Sequence, residues 1–171
     1  MSLEHTDSVS ARTDCRLCGS RELVELISFG KTPLANAYLA PGRLNEPELF
    51  APLVLNMCHT CKLVQLRGVV DPRVLFSHYL YVSGTSPVFV AHFADYAKTV
   101  VKRFVLPKGS LVVDVGSNDG VLLSYFKKLD MNILGVDPAE NIAAQATGKG
   151  IPTLARFFTP ETARDIAAKY G

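Results

Sequence analysis

The chain has 171 residues, 18 Lys and Arg against 16 Asp and Glu for a net charge of +2, and 48% hydrophobic residues. That is a globular composition with enough apolar content for a core, and its small positive balance argues against a nucleic-acid surface held by charge. No apolar run approaches the ~20 residues of a membrane span, and residues 1–14 lack the apolar core of a signal peptide, so a cytoplasmic protein without a membrane anchor is expected.

In chain order, residues 1–13 are polar and read as a disordered leader. A small β-rich domain is expected over residues 14–70, organised by Cys15-Arg16-Leu17-Cys18 and Cys58-His59-Thr60-Cys61. Two C-x-x-C pairs are the ligand pattern of a Cys₄ structural zinc site, each pair forming a knuckle whose backbone amides point at the sulfurs. The separation of about forty residues is longer than in the usual zinc ribbon, so the segment between must fold back on itself. Residues 22–29 and 50–57 read as strands, 30–33 as a turn, 41–48 as a loop, and 63–66 as a strand leaving the second knuckle. Disulfides, a redox pair and plain buried thiols are the alternatives. Disulfides fit poorly with a cytoplasmic chain, and a redox pair wants a βαβ context that is absent here. His59 reads as a bystander inside its knuckle, and four thiolates leave no open position for catalysis.

From residue 71 the period changes, and residues 71–109 read as a helical connector. Asp71-Pro72 opens a short helix expected to reach Tyr79, and residues 81–87 form a polar, glycine-containing loop. Ser86-Pro87 caps a helix whose apolar stripe is Phe89, Phe93, Tyr96, Val100 and Phe104, spaced for one face that can pack on a sheet. His78, Tyr79 and Tyr81 are candidates to line a site; half-buried packing serves the tyrosines equally well.

Residues 110–171 read as the first part of an α/β domain. Residues 111–115 are a short valine-rich run typical of a buried parallel strand. Gly116-Ser117-Asn118-Asp119-Gly120 is a turn, 121–129 have helical spacing, and 132–136 form a second strand ending on Asp137. Strand, glycine loop, helix, strand and acid make up half of a nucleotide-binding sheet, with the acid placed to grip ribose hydroxyls. The G-x-G-x-x-G of a dinucleotide site is missing, and Asp114 before the loop disfavours a pyrophosphate. The loop suits a cationic ligand without phosphate and resembles the D-x-G-x-G-x-G loop of the class I methyltransferases, departing from it at Asn118; asparagine tolerates the left-handed conformation. Asp137-Pro138-Ala139-Glu140 also reads as an N-cap, a first-turn proline and a capping-box glutamate. A helix to Ala146, a third strand over 151–154 and a last helix opened by Thr159-Pro160-Glu161 follow.

The segments C-R-L-C-G-S from Cys15, T-P-L-A-N-A-Y-L from Thr32, C-H-T-C-K-L-V-Q-L from Cys58, Y-V-S-G-T-S from Tyr81, V-D-V-G-S-N-D-G-V-L-L from Val113 and G-V-D-P-A-E-N-I-A from Gly135 follow in order. As a set they resemble the sugar C-methyltransferases of deoxysugar biosynthesis, which methylate C3 of a nucleotide-linked 4-keto-6-deoxyhexose. The resemblance covers residues 15 to about 158. It implies a zinc-binding domain fused to a truncated Rossmann-like α/β domain that binds S-adenosylmethionine. It further implies cofactor contacts from Asp114, Gly116, Ser117, Asn118, Gly120, Asp137, Pro138 and Ser86, substrate contacts from Tyr79, Tyr81 and Ser83, and structural zinc on Cys15, Cys18, Cys58 and Cys61. Family members carry their catalytic groups further along than residue 171, so no base is assigned, and these residues alone are expected not to transfer a methyl group. A zinc docking module with a degenerate α/β partner, and a nicotinamide enzyme, are the alternatives. Sugar identity and oligomeric state are left open.

Overall fold

A computed structural model describes residues 8–170. The chain divides into two compact units, one ending at Leu75 and the other beginning at Phe76. The segment expected as a connector therefore belongs largely to the second unit. Among the described residues no helix is long and apolar enough to cross a membrane.

The first unit is β-rich. Strands β1 (Val9–Ala11), β2 (Leu23–Pro33), β3 (Phe50–Cys58), β4 (Val64–Leu66) and β5 (Gly68–Val70) are followed by a one-turn helix, α1 (Pro72–Phe76). β2, β3 and β4 form an antiparallel sheet in that order, and β1 pairs with β5. β3 is the central strand, and its buried Val54, Asn56 and Cys58 fall on alternate positions, as a pleated strand with one covered face requires.

Three expectations need correction here. Residues 8–13 are not a disordered leader: Val9, Ser10 and Ala11 pair with Val70, Val69 and Gly68, because β5 offers a backbone edge that polar side chains do not hinder. Residues 1–7 of that leader lie outside the described residues. The turn expected over 30–33 is instead strand, with register shifts between Glu25 and Ile27 and between Ser28 and Lys31. Gly30, at φ +77°, serves a bulge rather than a reversal. The helix expected to reach Tyr79 stops at Phe76.

The second unit is α/β. Helix α2 (Pro87–Phe104) precedes strand β6 (Leu111–Val115), helix α3 (Val121–Lys128), strand β7 (Asn132–Val136), helix α4 (Glu140–Gly148), strand β8 (Thr153–Leu154) and helix α5 (Pro160–Tyr170). The sheet is parallel in the order β6-β7-β8, with Leu111 opposite Asn132 and Val115 opposite Val136. Alternate residues serve opposite faces. Val112 and Ile133 pack with Leu123, Ala146 and Ile151, while Val113, Leu134 and Val136 pack with Ile166 of α5. Helices thus cover both faces, which is why these short strands are mostly apolar, with Asp114 near the carboxyl end of β6 as the charged exception.

Helix α2 begins at the cap the sequence indicates: the Ser86 hydroxyl accepts from Phe89 N–H at 3.4 Å. Its buried face shares Val100 with the expected stripe but is centred on Ala97. Ala97 is fully buried against Phe126 and Met131, with Val100 and Val101 alongside, while Phe89, Tyr96 and Phe104 are exposed. The small Ala97 lets α2 approach α3 closely, and the larger aromatics one step round the helix are turned outward. Replacing Ala97 with Leu is expected to destabilise the second unit by about 1–3 kcal/mol through overpacking, whereas Tyr96→Ala should stay within about 0.5 kcal/mol; chemical denaturation of both variants measures the contrast.

Candidate metal centre and ligand loop

The four cysteines converge. Their Sγ atoms all lie within 4.8 Å of one another, with Cys15 and Cys61 at 3.5 Å and Cys18 and Cys58 at 3.6 Å. A disulfide needs about 2.05 Å, so no pair is bonded. A tetrahedral zinc with Zn–S near 2.3 Å sets its sulfurs about 3.8 Å apart, which this spread brackets.

The two knuckles are built alike. Gly19 N–H donates to the Cys15 carbonyl at 3.0 Å and Lys62 N–H to the Cys58 carbonyl at 2.9 Å. Cys15 N–H donates to Ser20 O, and Cys58 N–H to Leu63 O, both at 2.8 Å. The fifth residue of each turn is left-handed, Gly19 at φ 73° and Lys62 at φ 64°. The Cys61 N–H holds the Cys58 thiol down to about 6 against its burial, and the Cys18 N–H lowers Cys15 in the same way. Ser20 N–H pulls Cys18 down too, but burial and the three neighbouring thiols outweigh it and push that thiol up to about 12. Four thiolates this close cannot all ionise without a cation among them. The donor set fits zinc.

His59 is outside the cluster, its Nδ1 lying 4.0 Å from Glu22. Gln65 is a supporting residue that motif spacing does not reveal. Its buried carboxamide accepts from Arg16 N–H at 2.8 Å and donates to the Asp14 carbonyl at 2.9 Å, fastening the first knuckle to β4. A glutamine on a short strand carries no sequence signal of that task.

In the second unit the loop after β6 lies at the carboxyl end of the parallel strands, where ligands bind in this fold class. Gly116, Asn118 and Gly120 have φ of 76°, 50° and 75°. Asn118 thus holds the left-handed conformation that glycine takes freely. A Cβ on Gly120 would come within 2.7 Å of Ile151, so that glycine serves packing; a Cβ on Gly116 would meet nothing, leaving the loop open there. Ser117 is buried over Gly135 with its hydroxyl unpartnered. Asp114 is half-buried, and its carboxyl is raised to about 6, first by burial and then by the charge of Asp137.

Asp137 is not the helix cap that the sequence suggests. Helix α4 starts at Glu140, with Ala139 at the cap position and no side-chain cap, so Pro138 precedes the helix rather than opening it. One Asp137 oxygen accepts from Ala139 N–H at 2.9 Å, and the other from Asn118 N–H at 2.8 Å. The carboxylate closes a local turn and ties the ligand loop to the end of β7.

The segment containing the candidate tyrosines lies against this loop. Ser83 N–H donates to Asn118 Oδ1, and Asn118 Nδ2 to the Tyr81 carbonyl, both at 2.9 Å. Gly84 sits so close to the buried Asp119 carboxylate that a Cβ there would collide with it. Tyr79 is held through its backbone by Asn141, a residue the sequence reading does not single out. Ser86 caps α2, and Tyr81 is exposed.

Residues 15–76 match the family model described as a putative zinc binding domain. The chain is 37% identical to the C-methyltransferase NovU of Streptomyces niveus over 165 residues, 96% of this chain, and it spans 39% of that relative's length. Both findings support a resemblance to a C-methyltransferase with a zinc-binding domain.

Two outcomes are expected. Metal analysis should find one zinc per chain, and Cys58→Ser should abolish it and melt the first unit, because metal binding contributes directly to folding; thiols found paired as disulfides would contradict this. Asp137→Asn cannot accept from both Asn118 and Ala139, since its amide nitrogen must face one N–H. It should cost about 1–3 kcal/mol of stability in the second unit, read by denaturation.

Proposed function

We propose that this protein is part of an S-adenosylmethionine-dependent C-methyltransferase acting on a nucleotide-linked keto-deoxysugar. The observation that carries the reading is the ligand loop itself. Its Gly116 and Ser117 amides donate to the Val136 carbonyl, Asn118 to Asp137, and Gly120 to the Ser117 carbonyl. Those N–H groups are spent inside the protein and leave little to cradle a pyrophosphate. Two carboxylates, Asp114 and Asp137, stand beside the loop, and that pairing favours a cation. Both facts speak against a nicotinamide dinucleotide and for a sulfonium ligand with an ammonium group.

When bound, the donor supplies an electrophilic methyl carbon on sulfur. The open face at Gly116 lets a ligand approach the backbone. Each Asp137 oxygen has one protein donor, and a carboxylate oxygen takes two, so a ribose hydroxyl can share it. Asp114, ionised at neutral pH, attracts the cationic end. For the acceptor, removal of the C3 proton beside the ketone gives an enolate, and alignment of that carbon with the donor methyl provides much of the rate. On this reading, and as the family resemblance implies, Tyr79, Tyr81 and Ser83 contact the acceptor. His78 is exposed and immediately precedes them.

One observation favours the docking-module alternative: β2 exposes Val24, Leu26, Ile27 and Phe29 in the zinc-bearing unit. Calorimetric titration with S-adenosylmethionine, S-adenosylhomocysteine, NADH and a nucleotide-linked 4-keto-6-deoxyhexose separates the readings. Binding of the first two and the sugar is expected, and binding of NADH alone would overturn the proposal.

The pH dependence follows from Asp114. A cation binds its ionised form, so affinity for S-adenosylmethionine should fall as pH drops through about 6, and Asp114→Asn should flatten that profile. Stability moves the other way. A carboxyl raised in the folded state holds its proton more tightly there than when unfolded, so stability is lost as pH rises from the ordinary carboxylate range through about 6. Asp114→Asn should therefore raise the denaturation midpoint at pH 7 while weakening the ligand.

A further inference from the structure

Residues 79–82 belong to no helix or strand, yet their backbone is hydrogen-bonded by side chains at alternate residues. Asn141, in the first turn of α4, donates from Nδ2 to the Tyr79 carbonyl at 2.8 Å and accepts Tyr79 N–H at 3.3 Å. Asn118, in the loop after β6, donates to the Tyr81 carbonyl and accepts Ser83 N–H, both at 2.9 Å. Upstream, Glu140 N–H donates to the Ser77 carbonyl at 3.2 Å. The gripped residues are 79, 81 and 83, alternate positions that an extended chain presents along one edge. Val82, with φ −118° and ψ 118°, is extended.

A carboxamide donates and accepts side by side, as a peptide group does. Each asparagine thus takes the place of a neighbouring strand for a segment that has none. Both come from junctions just beyond the carboxyl ends of adjacent parallel strands, the crevice where this fold class binds ligands. Asn118 does so at a cost. Its φ of 50° would be free of strain for glycine, and such strain persists where surrounding structure and function hold it. Gly84 lies against the Asp119 carboxylate, where a Cβ would require that side chain to move.

We propose that Asn118 and Asn141 are positioning residues of the methyl-donor site, pinning residues 79–83 as a preformed strap across the ends of β6 and β7 against which the donor binds. This rests on the donor reading above. A strap fixed in advance spares the ligand the work of ordering it. If release of one asparagine lowers the anchored population to about a tenth, apparent affinity falls about tenfold.

The test uses two variants chosen to fold. Asn118→Gly keeps the left-handed turn without strain, and Asn141→Ala improves helix propensity; each removes one grip. Asn132→Ala is the control: it deletes a comparable bond, Nδ2 to the Gly109 carbonyl at 2.7 Å, at the opposite end of β7. S-adenosylhomocysteine affinity is measured by calorimetry, deuterium exchange over residues 77–85 with and without ligand, and stability by denaturation. Asn118→Gly and Asn141→Ala should each weaken binding roughly tenfold, speed exchange in the strap, and leave the denaturation midpoint within the range of the control. Asn132→Ala should bind as the unsubstituted protein does. Strap variants that exchange faster but bind normally would overturn the proposal while leaving the donor reading intact. So would an equal loss of binding in Asn132→Ala. An unsubstituted protein that does not bind S-adenosylhomocysteine would overturn the donor reading and this proposal with it.

Discussion

In the α/β unit, the geometry at the carboxyl end of the sheet depends on one hydrogen bond, from Asn118 N–H to the Asp137 carboxylate at 2.8 Å. Asp137 is 7% exposed. A buried carboxylate is tolerated only when its oxygens are satisfied, and here the donors are the backbone of the ligand loop and of the turn into α4. The same bond fixes Asn118 in its left-handed conformation, aiming the side chain at the backbone of residues 81 and 83. Loop, strap and helix start are therefore one hydrogen-bonded network, and a change at Asp137 propagates to all three.

The zinc-bearing unit solves a different problem. Four thiols within 4.8 Å repel one another once ionised, so the unit is complete only around a cation. Each knuckle lowers one thiol with backbone amides, and each needs a left-handed fifth residue. Gly19 meets that demand without strain. Lys62 meets it with strain, and its ammonium reaches back to the His59 carbonyl at 2.7 Å, closing the second turn over itself. Gln65 then joins the first knuckle to the sheet.

Strands β6 and β7 were legible residue for residue, because a continuous valine-rich run between turn signals has few other fates. The cysteine cluster was legible because spacing determines which sulfurs can converge. Side-chain duties were less so. The D-P-A-E tetrad fits a helix cap by local rules, yet a tertiary donor, Asn118 N–H, claims the carboxylate and the helix starts later. The stripe on α2 was read one step away from the buried face, since periodicity alone does not say whether aromatics or alanines face the partner, and closeness to α3 selects Ala97. The strand at Val9–Ala11 was invisible because its pairing depends on a backbone edge nearly sixty residues away. Asn141 and Gln65 act through carboxamide bonds to distant backbone, which no local pattern encodes.

The features that fit the α/β unit for a ligand also work against its stability. Asp114 is half of a like-charged pair kept partly buried, Asn118 is a non-glycine residue in left-handed space, and Ser117 and Asp119 each leave a buried oxygen unpartnered. Each is unfavourable in isolation, and all four fall between residues 114 and 119. A loop selected for stability alone would carry glycine at 118 and an apolar residue at 114. Concentration of strain, unpaired polar atoms and a raised carboxyl in one short segment is the physical pattern that the ligand site proposed above requires. The loop's amides are already spent on Val136, Asp137 and Ser117, so the donor site proposed above would offer its ligand carboxylate charge rather than backbone N–H groups.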